Sequence, residues 1–284
     1  MQNSKEEILK NKAKRTQGLR GLAISFIGIA IMLAIGSLLL HQLQPLASAP
    51  LAKNWKEASN RVILKVNGQV VTEREWVIQY QKLRQDPGNQ AKLEQEIQVE
   101  TLAYLIRDKA LLAEALRKGF PLDEGEARTY TEEQRKALQS SPETSEERAL
   151  FDKFLKGLGI SEEEYWRQIA PQIYLLLLPQ MHLKEQLYAN FPAPTLEELD
   201  SYKKEHPESE SLSEAALAQK ARDEEFEKYW KNYTADLIRT AQIEILAKDL
   251  KEIENEALKT LQAPKTSRAF PKVEVGFLSV CEKV

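Results

Sequence analysis

The chain has 284 residues, with 40 Lys and Arg against 43 Asp and Glu, so its formal charge is −3 and its length accommodates one or two domains. A hydrophobic fraction of 42% is enough to build a core, and 7% aromatic residues with 11 glycines exclude a fibrous or low-complexity chain. The near-neutral balance excludes the basic face that an electrostatic nucleic-acid footprint needs, so nucleic acid is not an expected partner.

The first 20 residues carry Lys5, Lys10, Lys12, Lys14, Arg15 and Arg20 against Glu6 and Glu7. Gly21 to Leu40 then runs without a charge, and at about 1.5 Å per residue it spans roughly one bilayer core of 30 Å. The positive flank predicts a single-pass anchor over 21–43, in contact with the lipid bilayer, with the N-terminus in the cytoplasm and everything beyond outside the cytoplasmic membrane. The other reading is cleavage at Ala47-Ser48-Ala49 and secretion; the length of the apolar run and Pro50 after the cut favour the anchor. Pro45 to Lys53 reads as part of a linker over 44–60. Cys281 is the single cysteine, so no intrachain disulfide forms.

Beyond the linker, Val62–Val66 and Gln69–Val71 flank Asn67-Gly68, which predicts a β-hairpin, because both turn positions favour residues that tolerate positive φ. Thr72-x-x-Glu75 is a capping box that starts a helix near Glu73, with Trp76, Tyr80 and Leu83 on one face and a stop near Asp86-Pro87-Gly88. From Gln90 to Lys118 apolar residues recur at helical spacing, and Gly119 with Pro121 ends the run. Asp123 to Glu126 caps a helix reaching about Gln139. Thr144-x-x-Glu147 starts a shorter one carrying Leu150, Phe154 and Leu158, which Gly157 and Gly159 end. Ser161-x-x-Glu164 opens a segment with Tyr165, Trp166, Ile169, Ile173 and Leu175 to Leu178, which Pro171 and Pro179 are expected to kink or divide. Thr195-x-x-Glu198 caps another helix, and Phe226, Trp230, Tyr233 and Leu237 mark one more. Two spacings then compete: Ala241 to Leu246 alternates like a strand, yet Ala241, Ile245, Leu250, Ile253, Ala257 and Leu261 continue a helical period. Lys272 to Leu278 is a second strand candidate.

Catalytic scaffolds are missing from the sequence. His41, His182 and His206 form no HExxH, and there is no second cysteine for a zinc site. No GxSxG, P-loop or GxGxxG motif occurs. The carboxylate runs Glu162–Glu164 and Asp223–Glu225 fit helix N-termini as dipole partners. No catalytic residue, metal or cofactor is expected, and function must come from shape and apolar surface.

Three ordered stretches carry a family resemblance: Val62 to Trp76 (VILKVNGQVVTEREW), Leu102 to Phe120 (LAYLIRDKALLAEALRKGF) and Leu158 to Gln168 (LGISEEEYWRQ). They resemble the chaperone domain of the SurA/PrsA-type extracytoplasmic foldases, and Phe226 to Leu246 is similar to that family's final helix and strand. The resemblance implies a mostly α, SurA-N-like domain over 61–246, in which a small β-hairpin is closed by a returning strand at Gln242 to Leu246. That domain stands behind the transmembrane helix, with 247–284 as a C-terminal extension. Only about 20 residues separate Tyr202 from Asp223, far too few for the family's parvulin isomerase domain of roughly 100 residues. What remains implied is a holdase, whose apolar crevice takes unfolded, newly exported polypeptides. Candidate peptide-binding residues are Phe154, Tyr165, Ile169, Ile173 and Leu177. A scaffold for one specific envelope complex is the alternative reading, and a prolyl isomerase the minor one.

Overall fold

The computed structural model describes residues 51–142, 144–209 and 212–262. The predicted anchor, the cleavage motif, the second strand candidate and Cys281 lie outside the described residues. Among those described, no helix is long and apolar enough to cross a membrane.

Strands β1 (Val62–Val66) and β2 (Gln69–Thr72) pair antiparallel around Asn67-Gly68, with φ of 49° and 79° at the two turn residues. Thr72 caps α1 (Glu73–Gln85) with the full reciprocal box: its side chain accepts from the Glu75 N–H, and the Glu75 carboxylate accepts from the Thr72 N–H. A 3-10 turn at Pro87–Asn89 leads to α2 (Glu94–Arg117), which starts later than the predicted Gln90 because Asp86 and Asn89 hold the intervening chain: the Asp86 carboxylate accepts from the Gly88 N–H, and the Asn89 amide donates to the Leu83 carbonyl.

The helices α3 (Glu124–Ser140) and α4 (Glu146–Leu158) follow. The cap of α4 is Ser145 rather than Thr144, and this moves the buried stripe to Phe151, Leu155 and Leu158, leaving Leu150 and Phe154 half-buried. A helical turn at Glu162–Glu164 and a π turn at Tyr165–Ile169 run on into α5 (Ala170–Ala189). The two prolines do not divide this segment. Pro171 lies in the first turn after the π turn, where its missing N–H is tolerated, and Pro179 sits inside α5, with the Gln180 side chain donating to the neighbouring Leu176 carbonyl. An arm follows, α6 (Leu196–Glu205) and α7 (Glu214–Arg239), and then β3 (Ile243–Ile245) and α8 (Lys248–Gln262).

The competition at 241–246 resolves into both readings in succession. Residues 243–245 form the strand that returns antiparallel to β1, giving the order β2-β1-β3, and the helical period resumes as α8, which buries Leu250, Ile253 and Ala257. The Asn67 turn is tied to the far end of the chain: its N–H donates to the Gln242 carbonyl and its side chain accepts from the Gln242 N–H.

The core lies between the sheet and α1 to α5 and α8, with the end of α7 joining through Ile238, and Leu64, Val66, Trp76, Ile97, Leu102, Ile106 and Phe151 are almost fully buried. It reaches past both predicted boundaries. Residues 51–60, expected as the end of a linker, bring Trp55 and Ala58 into the core, and the Trp55 N–H donates to the Leu158 carbonyl. Glu73 fastens this stretch. Its carboxylate accepts from the Ala52 N–H, the Ser59 N–H and hydroxyl, and the Arg61 guanidinium at 2.8 Å. Burial alone pushes this carboxyl up, but the Ser59 and Ala52 hydrogen bonds and the Arg61 charge outweigh it and hold Glu73 below its ordinary value.

Candidate functional site

The segment from Ser161 to Ala189 positions the predicted binding residues. Ser161 accepts from the Glu164 N–H, and three glutamates complement the positive end of the helix. Glu162 also receives the Arg148 guanidinium at 2.5 Å and the Trp166 indole N–H at 3.1 Å, which ties this start to α4. Phe151, Tyr165 and Trp166 then pack edge-on or tilted, with centroids 5.1–5.5 Å apart. Burial, with Tyr174 nearby, pushes the Tyr165 hydroxyl far up.

The π turn decides which side chains face outward. Tyr165, Ile169, Ile173 and Leu177 recur every four residues and form one stripe on a straight α-helix, but between Tyr165 and Ile169 the hydrogen bonds skip to i+5, with the Ala170 N–H donating to the Tyr165 carbonyl. The stripe therefore breaks. Tyr165 and Ile169 are core side chains, at 7% and 0% exposure, whereas Ile173 and Leu177 are half-buried on successive turns of α5. Phe154, on α4, is half-buried and packs its ring against Tyr165 at 5.9 Å. The structure thus brings Ile173 and Leu177 together on a surface and does not bring Tyr165 and Ile169 to it.

Sequence spacing missed the rest of that surface. Ile173 to Leu178 are six consecutive apolar residues, so they occupy every face of α5. A helix apolar all round is ordinarily enclosed. Here α2 and α3 enclose Tyr174 and Leu178, while Ile173, Leu175, Leu176 and Leu177 keep partial access to solvent. The lack of any polar residue across two helical turns was the signal available. Polar groups join the neighbouring helices. Lys109 on α2 donates to Glu75 on α1 at 2.5 Å, and half-buried Asp108 is pushed up by burial against the pull of Lys109, Arg107 and Gln180.

A second aromatic group lines the arm. Tyr188 and Phe191 meet Phe226 at 4.9 and 5.4 Å, and Tyr229, Tyr233 and Trp230 continue along α7. Phe226 is buried, Trp230 and Tyr233 are half-buried and Tyr229 is exposed. The Tyr233 hydroxyl donates to Glu114 at 2.7 Å, and burial together with that carboxylate pushes its ionisation up. Among the described residues, no group of His, Cys, Asp or Glu is arranged to hold a metal ion. The chemistry on offer is apolar contact with hydrogen-bonding margins.

Comparison with the curated proteins and with the solved structures found no match. A family model described as SurA-like N-terminal domain matches residues 22–178, more than half of the chain. The match starts before the hairpin and ends on Leu178, so it takes in α1 to α4, the π turn and the apolar first half of α5. That domain is the non-catalytic chaperone part of its family. With this match, the hairpin closed by a returning strand and the partly uncovered apolar helix behind them, the chain belongs to the SurA-like N-terminal domain family.

Proposed function

We propose that the protein is a membrane-anchored, extracytoplasmic holdase for unfolded, newly exported polypeptides, held to the cytoplasmic membrane by Gly21 to Leu40 with its N-terminus in the cytoplasm. The observation that carries this reading is the run of half-buried apolar side chains on α5, at Ile173, Leu175, Leu176 and Leu177, which keep partial access to solvent while Ile173, Leu175 and Leu177 pack partly on the core, in a chain of the SurA-like N-terminal domain family. Apolar side chains with access to solvent can mask the segments through which unfolded chains aggregate. Contacts without directional hydrogen bonds suit clients of many sequences, and tethering raises the local concentration of the surface where clients emerge.

The test uses the full chain in lipid nanodiscs, added to a chemically unfolded client whose refolding is limited by proline isomerisation. Light scattering should fall while the slow refolding phase keeps its rate. The double variant Ile173→Asp, Leu177→Asp should lose the suppression and keep its fold by circular dichroism. Acceleration of the slow phase at substoichiometric protein would replace this reading with an isomerase. No effect on unrelated clients, together with one stoichiometric partner recovered from membranes, would replace it with a dedicated scaffold.

A further inference from the structure

Among the described residues, the sheet has an unpaired side at β3. In the two-residue hairpin, Val66 and Gln69 form the closing hydrogen-bonded pair, so by the alternation of an antiparallel ladder Leu64 and Val66 bond toward β2, and Ile63 and Lys65 bond toward β3. The flanking bonds agree: the Ile63 carbonyl accepts from the Leu246 N–H, and the Asn67 N–H donates to the Gln242 carbonyl. Glu244 therefore spends its backbone groups on Lys65, while the N–H and C=O of Ile243 and Ile245 point away from β1. Among the described residues β3 pairs with β1 alone. The side chains of Ile243 and Ile245 pack against the core, and Glu244 meets Lys65 on the outer face at 3.0 Å. This is an edge with two outward-pointing residues, an apolar inner face and an acidic outer one.

We propose that this edge is occupied by the chain's own C-terminal segment, with Val275-Gly276-Phe277 adding as a fourth strand beside β3. Lys272 to Leu278 alternates in the way such a strand requires. With Val275 and Phe277 placed beside Ile243 and Ile245 on the core face, Gly276 falls beside Glu244. A register shifted by two would instead set Glu274 against Glu244, like charges that oppose pairing. The reach is sufficient. The 15 residues of α8 carry the chain about 22 Å from the sheet, and the nine residues 263–271 span up to roughly 30 Å back. Strand, helix and strand in succession is the connection that sets neighbouring strands parallel. Charge acts in the same direction, since residues 51–262 hold 30 Lys and Arg against 39 Asp and Glu, while Lys265, Arg268 and Lys272 approach the strand with no acidic residue among them. The benefit is specific to a protein that meets extended chains: an uncovered edge is a template for strand addition by any of them, and a tethered strand closes it. The inference does not depend on the holdase reading.

Hydrogen exchange read by mass spectrometry on the full chain in nanodiscs, compared with a chain ending at Gln262, tests it. Removing the tail should speed exchange in peptides covering residues 242–247 by about tenfold or more and leave α2 unchanged, and excess synthetic peptide of residues 263–284 should restore the slow rate. Within the full chain, Val275→Asp with Phe277→Asp should reproduce the loss. A photo-crosslinker on Cys281, the only cysteine, should capture residues in or next to β3. Unchanged exchange at 242–247, tail-dependent protection at Gln69–Thr72 instead, or crosslinks confined to α5 would each overturn the proposal. If truncation speeds exchange throughout the core, the added peptide decides: restoration confined to β3 supports the fourth strand, and its failure sinks it.

Discussion

The body of the domain and its arm are built to different standards of closure. In the body, one core joins residues 51–60, the sheet and α1 to α5 and α8, and its buried charges are met: Glu73 has three hydrogen-bonding neighbours, and Lys109 with Glu75 joins α1 to α2. In the arm, α6 and the first half of α7 share a separate cluster of Leu199, Tyr202, Leu217 and Ala221, whereas the second half of α7 joins the main core through Ile238 and meets α2 where Tyr233 donates to Glu114. The arm is fastened to the end of α5 by Arg222, whose guanidinium donates to the Tyr188 and Phe191 carbonyls at 2.9 and 2.8 Å and stacks over the Tyr188 ring. The small cluster of the arm should therefore open at lower cost than the large core. A surface that must take clients of many shapes is well served when one wall is fixed and the other opens at modest cost.

The largest expected effect comes from breaking the fixed side. Glu73→Ala leaves the Arg61 guanidinium, itself 10% exposed, without its carboxylate, and the loss should be about 3–5 kcal/mol by urea unfolding. The effect should be global, since the node holds the entry of the chain against α1. The same group sets an acid limit. Its folded value lies below its ordinary 4.5, so the stability it contributes is present above pH 4.5 and drains away as the pH falls through the depressed value. Glu73→Gln should flatten that slope. A change under about 1 kcal/mol with the acid slope intact would show that the entry segment is held by Trp55 instead.

Next comes the small cluster. Leu217, at 1% exposure, should cost about 2 kcal/mol on truncation to alanine, because four residues collapse around a cavity more readily than a large core. The comparison predicts where the loss appears: exchange in α6 and the first half of α7 should quicken some 30-fold, while α2 exchanges as before. Equal acceleration in both regions would erase the distinction between body and arm. Arg222→Lys is a finer cut. A lysine cannot span two carbonyls and a ring as the planar fork does, so about 1–2 kcal/mol of arm attachment should disappear, seen as faster exchange at the end of α5.

Much of the fold was legible in the sequence because its signals are local. The boxes at Thr72 and Thr195, the Asn-Gly turn and the cap at Asp123 each act within four residues, and each stands where the pattern predicts. What escaped is non-local. Nothing near Ser59 or Ala52 announces that they bond to Glu73, so residues 51–60 read as a linker. The site suffered from the same limit in another form. A four-residue period assumes an unbroken α-helix, and the π turn that ends on buried Ile169 shifts the facing of every residue after it, so that Leu175 and Leu176 are half-buried beside Ile173 and Leu177. Pro171 was visible, but whether a helix answers a proline with a break or a wider turn depends on what packs against that turn, here Phe151 against Tyr165 and Trp166.

The smallest effect probes the seam between α3 and α5. His182 on α5 lies 2.8 Å from Glu126 at the start of α3 and 3.4 Å from Glu185 on its own helix, with the Phe120 ring 6.3 Å away. Burial alone lowers this histidine, but the two carboxylates outweigh it and raise it above its ordinary 6.5. A raised folded value means the contact contributes fully below pH 6.5 and fades as the pH climbs through the folded value. With a side chain 36% exposed the gain is screened, so less than about 1 kcal/mol should separate the two ends of that range. His182→Gln should remove the pH dependence of exchange at the seam and leave the unfolding midpoint above pH 8 nearly unchanged. If the wild-type seam tightens as pH rises, the histidine is held neutral and the carboxylates meet it as hydrogen-bond acceptors only.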